Sequence, residues 1–574
     1  MAAIRQLVVL DHKSYGNATH MLVSSSSPVN AEEGAIKLPQ PSRVRLDGQP
    51  MILEDRTDRA LSELRLSLKK FLVGLNTSPQ DRDSFLQALK GKLKIVLNIH
   101  GYSTPLAGFH ENAYQRTQIK FDRDQNAMAA RGTITDYVVF IDYSWPSEQA
   151  LSLSLPSVLR EMPFLLMALA AAALLIFCRG LYELRPSAGG VGPALGLGVG
   201  AGVLGGIVAA LLLLRMVAYF RDRDRAASAA VYDGVELVRW LHQIFLEEIT
   251  KEAPQIERVE QLRALLQESD SVPQAPQVAA PVKVRVKLSL LAHSMGCFVA
   301  TQLVRTLSDV FDPKAIDRWK QVGLEGPFSR LDPTETATDV ITDVGIGELF
   351  SLDQLVLASP DIPVWALTNG RSNPLQACLR RFRHVSLFTN DADMVLRLLS
   401  TLANFFVFPS RTRQGGYRLG NVVPLEDRQA WGLHTLDLSR IGLHGMGGRL
   451  FQGGHPLTEP PFKAQRVPAS HLSLVDCTDY RDREEVSAPW SPMLASTGPA
   501  WRPLRYGLTT LAMVFKRLDP HGGYFRGPFC LDLIYSLLLF GPPTSSEALA
   551  SLDEELKRHQ ISWIDVKNPS GSTR

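Results

Sequence analysis

Residues 282–309 read VKVRVKLSLLAHSMGCFVATQLVRTLSD, in which an alternating apolar pattern passes directly into a helical one. Valines alternate with basic residues up to Val286, and the run Leu288–Ala292 is apolar except for Ser289, as expected for a strand that enters a buried parallel sheet. Beyond Ser294, apolar side chains recur at helical spacing over Phe298–Leu307. The stretch therefore predicts a strand, a tight turn at Ser294 and a helix.

The turn has the sequence A-H-S-M-G, a variant of the nucleophile elbow in which alanine replaces the first glycine. A serine on a sharp strand-to-helix turn has strained backbone geometry, so the residues two positions away must be small, as Ala292 and Gly296 are. The helix N-terminus and the backbone N–H of Met295 would then face an oxyanion that forms beside Ser294. Ser294 is thus a candidate nucleophile, and a chance small-x-Ser-x-Gly turn is the alternative.

The composition excludes several classes of function. The chain has 574 residues and a formal net charge of +3 with both signs interspersed, so it carries no electrostatic footprint for nucleic acid. It contains no glycine-rich phosphate loop and no zinc-finger spacing. Its five cysteines form no C-x-x-C pair, which argues against a disulfide framework or a thiolate metal site and fits a reducing compartment. We therefore expect no metal, no other cofactor and no nucleic-acid partner. Residues 1–16 lack the long apolar core of a secretory signal, so no such signal is expected.

A second strand-to-turn pattern lies at residues 92–103, KLKIVLNIHGYS, where an apolar strand ends in His100-Gly101-Tyr102. Glycine after a buried strand lets the backbone turn sharply and come close to a ligand. The backbone N–H of Tyr102 is therefore a candidate second donor to the oxyanion. An ordinary strand-end turn is the alternative.

Three more apolar runs, at residues 137–142, 355–358 and 385–388, predict strands. Strands that alternate with helices form a parallel sheet with right-handed crossovers, and the expected fold class is α/β. In such sheets the functional residues lie at the carboxyl ends of the strands. Four polar residues fall at such ends: His100, Ser294, Asp361 and Asp393.

Residues 162–178 and 189–214 contain no charged side chain. The second segment is long enough to span a bilayer and the first is at the short end of the spanning range, so together they predict a transmembrane hairpin. Glycines four apart in the second segment would let the two helices approach closely. Arginines are more frequent on the outer flanks than in the connecting loop, which predicts that both termini and the catalytic domain face the cytoplasm. Two buried core helices or a re-entrant hairpin are the alternative.

A serine hydroxyl becomes a good nucleophile only when a base accepts its proton and a carboxylate orients that base. With a strand-to-helix nucleophile turn, the chain order is serine, acid, histidine. His521 is favoured as the base because it lies in the Gly-flanked loop DPHGGYF, just before the last apolar helix, residues 529–540. His444 and His455, which also lie in Gly-rich loops, are the next candidates.

Several short segments recur in the order that characterises one known family. They resemble those of the bacterial α/β-hydrolases long catalogued as a domain of unknown function, and they cover roughly residues 90–540. The matching segments are His100-Gly101-Tyr102, Trp145-Pro146-Ser147, Asp224-Arg225-Ala226-Ala227-Ser228, Ala292 to Gly296, Ser359-Pro360-Asp361, Asp393-Met394-Val395-Leu396 and His521-Gly522-Gly523-Tyr524-Phe525. The chain departs from the family pattern where Ser359 replaces the usual alanine, where the Asp224–Ser228 segment is compressed, and where the hydrophobic hairpin is inserted.

The resemblance implies an α/β-hydrolase fold, a mostly parallel sheet with helices on both faces. It implies Ser294 as nucleophile, Asp393 as acid and His521 as base, with Tyr102 and Met295 donating backbone N–H groups to the oxyanion. Asp361 and Asp391 remain alternative acids.

The expected organisation has six parts. They are an N-terminal extension packing on the hydrolase (1–90), the first part of the core (91–150), the transmembrane hairpin (158–220), the second part of the core with the elbow (221–410), a lid or accessory insertion (411–515) and a C-terminal part with the histidine and the last helix (516–560).

The expected function is that of a membrane-anchored serine hydrolase of the esterase or lipase type, which forms an acyl-enzyme on Ser294. An ester or lipid-like small molecule is the expected substrate and the lipid bilayer the expected partner. The alternative is a catalytically inactive membrane scaffold that keeps the hydrolase fold, because fold does not imply function.

Overall fold

The computed structural model describes the chain in segments. They comprise residues 7–25, 44–46, 49–51, 56–75, 89, 92–102, 113–115, 117, 136–145, 147, 219–252, 286–308, 310–311, 345–363, 366, 378, 381–400, 418–424, 435–436, 472–480, 519–543 and 546–565.

Thirteen strands are described. They are β1 (Leu7–Tyr15), β2 (Ala18–Ser25), β3 (Val44–Leu46), β4 (Gln49–Met51), β5 (Leu93–Ile99), β6 (Tyr137–Ser144), β7 (Val286–His293), β8 (Phe350–Ala358), β9 (His384–Thr389), β10 (Val423–Pro424), β11 (Thr435–Leu436), β12 (Leu472–Asp476) and β13 (Ser562–Asp565). Nine of them form one sheet in the order β1-β2-β6-β5-β7-β8-β9-β12-β13, and β3-β4 and β10-β11 form two small pairs.

The large sheet is mostly parallel. All neighbours from β2 to β12 pair in parallel, and only the outer pairs β1-β2 and β12-β13 are antiparallel. The expected α/β class with a mostly parallel sheet is therefore confirmed. Residues 472–476, within the segment expected to be a lid or accessory insertion, form the strand β12 between β9 and β13. Likewise β1 and β2, from the expected N-terminal extension, are strands of the same sheet.

The described helices are α1 (Thr57–Leu75), α2 (Asp233–Glu252), α3 (Met295–Thr306), α4 (Ile346–Leu349), α5 (Pro528–Phe540) and α6 (Ser546–Arg558), with a π-helical turn at Val395–Ser400 and 3-10 turns at Leu419–Asn421 and Gly523–Phe525. The first residue of α5 is a proline, which lacks a backbone N–H and stands where such a group would have no intrahelical acceptor. The helix is followed by Gly541, whose φ is 77°. These two residues fix the bounds of α5.

Helices cover both faces of the sheet. α5 packs in a buried apolar cluster that includes Val138 of β6. The neighbouring Tyr137 stacks on Phe71 of α1 at 5.3 Å between ring centroids. Successive residues of a strand point to opposite faces, so α5 and α1 lie on opposite sides of the sheet.

The strand order reverses direction between β5 and β7. From β5 the chain continues to β6 on one side, whereas from β7 it continues to β8 on the other side. In open parallel sheets such a reversal leaves a crevice at the carboxyl ends of the two strands, where ligands bind. The two strands end here in His100-Gly101 and in His293-Ser294.

The chain divides into two compact units. One comprises Met1–Gly101, Pro105–Pro146 and Ala226–Arg574, and the other Tyr102–Thr104 and Ser147–Arg225. No helix in the described part of the chain is sufficiently long and apolar to cross a bilayer. The two predicted membrane segments, residues 162–178 and 189–214, lie outside the described residues.

The turn after β7 presses against the end of β5. A side chain at Gly296 would place its Cβ 2.6 Å from the carbonyl oxygen of Ile99 and nearer still to that of His100. Both obstacles are backbone atoms, so they cannot move aside as a flexible side chain can. The absence of a side chain at Gly296 is what lets α3 start at this point.

We expect Gly296→Ala to destabilise the protein by about 1–3 kcal/mol, because the added methyl overpacks a backbone contact. Gly74→Ala in α1 is the control, since its Cβ would meet no atom within 4 Å and alanine favours helix by about 0.5–1 kcal/mol. Thermal unfolding followed by circular dichroism measures both, and equal melting temperatures for the two variants would contradict the packing argument.

Candidate active site

Ser294 has the strained backbone expected of a nucleophile turn. Its φ is 52° and its ψ is −122°, a region that residues with a side chain rarely adopt. Three backbone hydrogen bonds hold it: its N–H donates to Ala358 O at 3.0 Å, and its carbonyl accepts from the N–H groups of Cys297 at 3.0 Å and Asp361 at 3.1 Å. The turn is therefore fastened to the end of β8 as well as to its own helix.

His521 lies beside Ser294. Its Nε2 is 2.8 Å from Ser294 Oγ, and its Nδ1 is 2.7 Å from Asp393 Oδ2. Since a carboxylate only accepts hydrogen bonds, Nδ1 carries the proton in the neutral ring and Nε2 offers its lone pair to the serine hydroxyl. The structure thus brings together the three residues predicted as nucleophile, base and acid.

The carboxylate of Asp393 is fully buried and fully hydrogen-bonded. Its Oδ1 accepts the backbone N–H groups of Val395 at 3.1 Å and Leu396 at 3.2 Å. Its Oδ2 accepts the hydroxyl of Ser359 and the Nδ1–H of His521. A carboxylate is costly to bury unless it is hydrogen-bonded, and here four donors meet its two oxygens.

The two alternative acids are paired with arginines. Asp361 lies 2.9 Å from Arg418 Nε, with both side chains almost fully buried, and accepts the hydroxyl of Ser400 at 3.1 Å. Asp391 forms an ion pair with Arg397. Because each of these carboxylates already has a cationic partner, Asp393 is the acid that the geometry favours.

Two asparagines hold the acid loop: Asn390 ties it to the histidine loop, and Asn421 ties it to the segment 418–424. Asn390 donates its amide N–H to Pro520 O at 2.8 Å, next to His521, and its Oδ1 accepts the N–H of Ala392 at 2.9 Å. The fully buried Asn421 donates to the carbonyls of Asn390 and Asp393, both at 3.0 Å. These bonds fix the separation of Asp393 and His521, which come from distant parts of the chain.

The His100-Gly101 turn is held just as firmly. A Cβ on Gly101 would lie 2.9 Å from Ser294 Cβ, so the glycine permits close contact with the nucleophile. His100 Nδ1 donates to Gly101 O at 2.7 Å, and Trp145 Nε1 donates to His100 O at 2.8 Å. Burial lowers the pKa of His100 to about 4, so its ring is neutral and structural.

The two histidines at the site differ in their pKa values. Burial alone would lower the pKa of His521, but the Asp393 carboxylate, together with Asp519 and Asp361, raises it above its ordinary value. Desolvation, followed by the neighbouring His521, lowers the pKa of His293 to about 4. The neutral His293 donates its Nε2–H to His521 O at 2.9 Å and so orients the histidine loop.

The remaining predicted residues are placed as follows. Met295 is the first residue of α3, where backbone N–H groups have no intrahelical acceptor. Tyr102 belongs to the smaller unit, and its role as an oxyanion donor stays a prediction. His444 and His455 lie outside the described residues.

Sequence reasoning missed the supporting residues. Asn390 is adjacent to the predicted acid motif, and its position after a buried strand was the available signal. Ser359 stands out in the sequence only because it replaces the alanine that is usual in the resembled pattern. Asn421 and Arg418 carried no local signal, because their importance depends on contacts with residues far away in the chain.

The arrangement can transfer a proton from Ser294 to His521 and stabilise the resulting imidazolium through Asp393. Among the described residues, no cluster of three or more His, Cys, Asp or Glu side chains is arranged to hold a metal ion.

Comparison of the chain with protein-family models, with curated proteins and with solved structures finds no match in any of the three.

Proposed function

We propose that this protein is a membrane-anchored serine hydrolase with an α/β-hydrolase fold, which cleaves carboxylic esters through an acyl-enzyme on Ser294. One observation carries the proposal: the chain of contacts from Ser294 Oγ to His521 Nε2 at 2.8 Å and from His521 Nδ1 to Asp393 Oδ2 at 2.7 Å. The strained φ of Ser294 supports it, since strain is retained where the surrounding structure holds it for a function. The location at the strand-order reversal and the chain order serine, acid, histidine support the fold.

The proposed reaction has two halves. His521 Nε2 accepts the hydroxyl proton as Ser294 Oγ attacks the ester carbonyl, and the tetrahedral oxyanion accepts a hydrogen bond from the backbone N–H of Met295 at the start of α3. When the intermediate collapses, the imidazolium returns the proton to the leaving alcohol. A water molecule then attacks the acyl-enzyme with His521 again as base, which releases the acid and restores Ser294.

Esters are the proposed substrates because of the family resemblance and the expected position beside a bilayer. The uncharged segments 162–178 and 189–214 support the anchor, since stretches of this length without charge are rare in soluble proteins.

The test of catalysis is covalent labelling with a fluorophosphonate, which reacts with an activated serine. We expect labelling of the detergent-solubilised wild type, none in Ser294→Ala, and rates reduced by about 10³- to 10⁴-fold in His521→Ala and Asp393→Asn. Ser62→Ala, which removes an exposed hydroxyl on α1, and His559→Ala, which removes a ring stacked on Phe529, are the controls and should label normally.

Each alternative has its own outcome in this experiment. A folded wild type that does not label would support the inactive scaffold. Labelling that survives His521→Ala would move the base to His444 or His455.

The pH dependence of labelling follows from the raised pKa of His521. Only the neutral ring can accept the serine proton, so the rate should fall as the pH decreases through a midpoint above 6.5, the ordinary value for histidine. A rate profile measured on the wild type checks this, and a midpoint near 4, as for His100 and His293, would contradict the assignment of His521.

Cell fractionation tests the anchor. We expect the wild type in the membrane fraction, released by detergent but not by alkaline carbonate. The double variant Ala171→Arg and Ala209→Arg should weaken membrane insertion, because each central arginine costs about 2.5–3.5 kcal/mol, whereas Ala31→Arg outside the segments should not. Recovery of the wild type in the soluble fraction without detergent would refute the anchor.

A further inference from the structure

Ser359 has an unusual backbone and a central position. It follows β8, its side chain is fully buried, and its φ of 46° lies in the left-handed region. Within the described residues, the non-glycine residues with positive φ are Ser294, Ser359 and Gln560, so two of the three belong to the candidate active site. A left-handed residue with a side chain is a mark of local strain, which calls for an explanation.

The hydroxyl of Ser359 is not needed to hold this turn. The backbone N–H of Ser359 donates to Phe388 O at 2.9 Å, and the N–H of Gly420 donates to Pro360 O at 3.1 Å. These bonds between backbone atoms fasten the turn to β9 and to the segment that contains Asn421. The hydroxyl of Ser359 can therefore donate its hydrogen bond to another group.

That group is the acid. Ser359 Oγ donates to Asp393 Oδ2, the same oxygen that accepts the Nδ1–H of His521, and it lies 3.4 Å from that Nδ1. Two donors thus converge on one carboxylate oxygen, while Oδ1 is occupied by backbone N–H groups. A hydrogen bond from a neutral hydroxyl withdraws negative charge from Oδ2 and fixes its direction.

We propose that Ser359 is a positioning residue that orients Asp393 and weakens the attraction of Asp393 for the imidazolium form of His521. The inference rests on the proposed function and adds a fourth member to the Ser294–His521–Asp393 chain. The hydroxyl keeps the base neutral, and hence active, to lower pH than the Asp393 carboxylate alone would allow.

The surroundings of His521 are consistent with this balance. Its ring meets carboxylates from three elements and a neutral imidazole, and burial raises the pKa of the nearby Tyr524 well above its ordinary value, so that group is uncharged. Removal of the Ser359 hydroxyl leaves the three carboxylates and His293 in place, and it takes a hydrogen-bond partner from the uncharged Tyr524 hydroxyl. The titratable groups around His521 are Asp393, Asp519, Asp361 and His293, whereas Tyr524 interacts with Asp393 and Ser359.

The test is the pH profile of fluorophosphonate labelling for Ser359→Ala and Ser359→Gly. Both variants remove the hydroxyl, but alanine keeps the left-handed strain whereas glycine relieves it. We expect the midpoint of the acid limb to move upward by about 0.5–1 pH unit in both variants. The plateau rate should fall by about 3- to 10-fold, as for the loss of one hydrogen bond.

Ser400→Ala is the matched control, because it removes a buried serine hydroxyl that donates to a different carboxylate, Asp361. Its acid limb should stay close to the wild-type midpoint, because Asp361 acts on His521 least of the three carboxylates and is paired with Arg418. An unchanged midpoint in both Ser359 variants, or an equal displacement in Ser400→Ala, would overturn the proposal. A merely structural role would instead make the alanine and glycine variants differ in melting temperature without moving the midpoint.

Failure of the proposed function is distinguishable from failure of this inference. A folded wild type that does not label refutes the hydrolase. The downfield proton NMR signal of His521 Nδ1–H, identified by its loss in Asp393→Asn, reports the titration of the ring without any reaction. The same upward displacement in the Ser359 variants supports the proposal, and its absence refutes it.

Discussion

The site depends on one backbone constraint, the left-handed turn at Ser294. The turn is stable because its N–H and carbonyl are hydrogen-bonded to Ala358, Cys297 and Asp361, so that β7, α3 and the end of β8 hold it together. Close packing completes the constraint, since neither Gly101 nor Gly296 has room for a side chain. A flexible turn would let Ser294 relax to ordinary dihedral angles, and its hydroxyl would leave His521.

The electrostatics of the site depend on which partner each of three carboxylates has. Arg418 pairs with Asp361 and Arg397 pairs with Asp391, which leaves Asp393 to accept the proton of His521. A buried carboxylate that lacks a partner is costly to the fold. The two arginines therefore stabilise Asp361 and Asp391 in place, and Asp393 remains the carboxylate bonded to the histidine.

The sequence was most informative where function depends on local structure. The elbow, the strand ends and the Gly-flanked His521 loop are each contained within a few residues, so periodicity and spacing could identify them. The strands β12 and β13 were missed, because their short sequences become strands only by pairing with partners far away in the chain. β2 was also missed; it pairs with the adjacent β1 on one side and with the distant β6 on the other. The choice among Asp361, Asp391 and Asp393 was open for the same reason, since it depends on where Arg418 lies.

The two neighbouring histidines at the site, His293 and His521, differ in their affinity for a proton. His293 and His521 lie 4.8 Å apart between ring centroids, so a positive charge on the His521 ring disfavours one on the His293 ring. Desolvation keeps His293 neutral, and its Nε2–H donates to the carbonyl of His521. The carboxylate of Asp393 instead stabilises positive charge on the His521 ring. A proton taken from Ser294 therefore stays on the one imidazole that is positioned to return it to a leaving group.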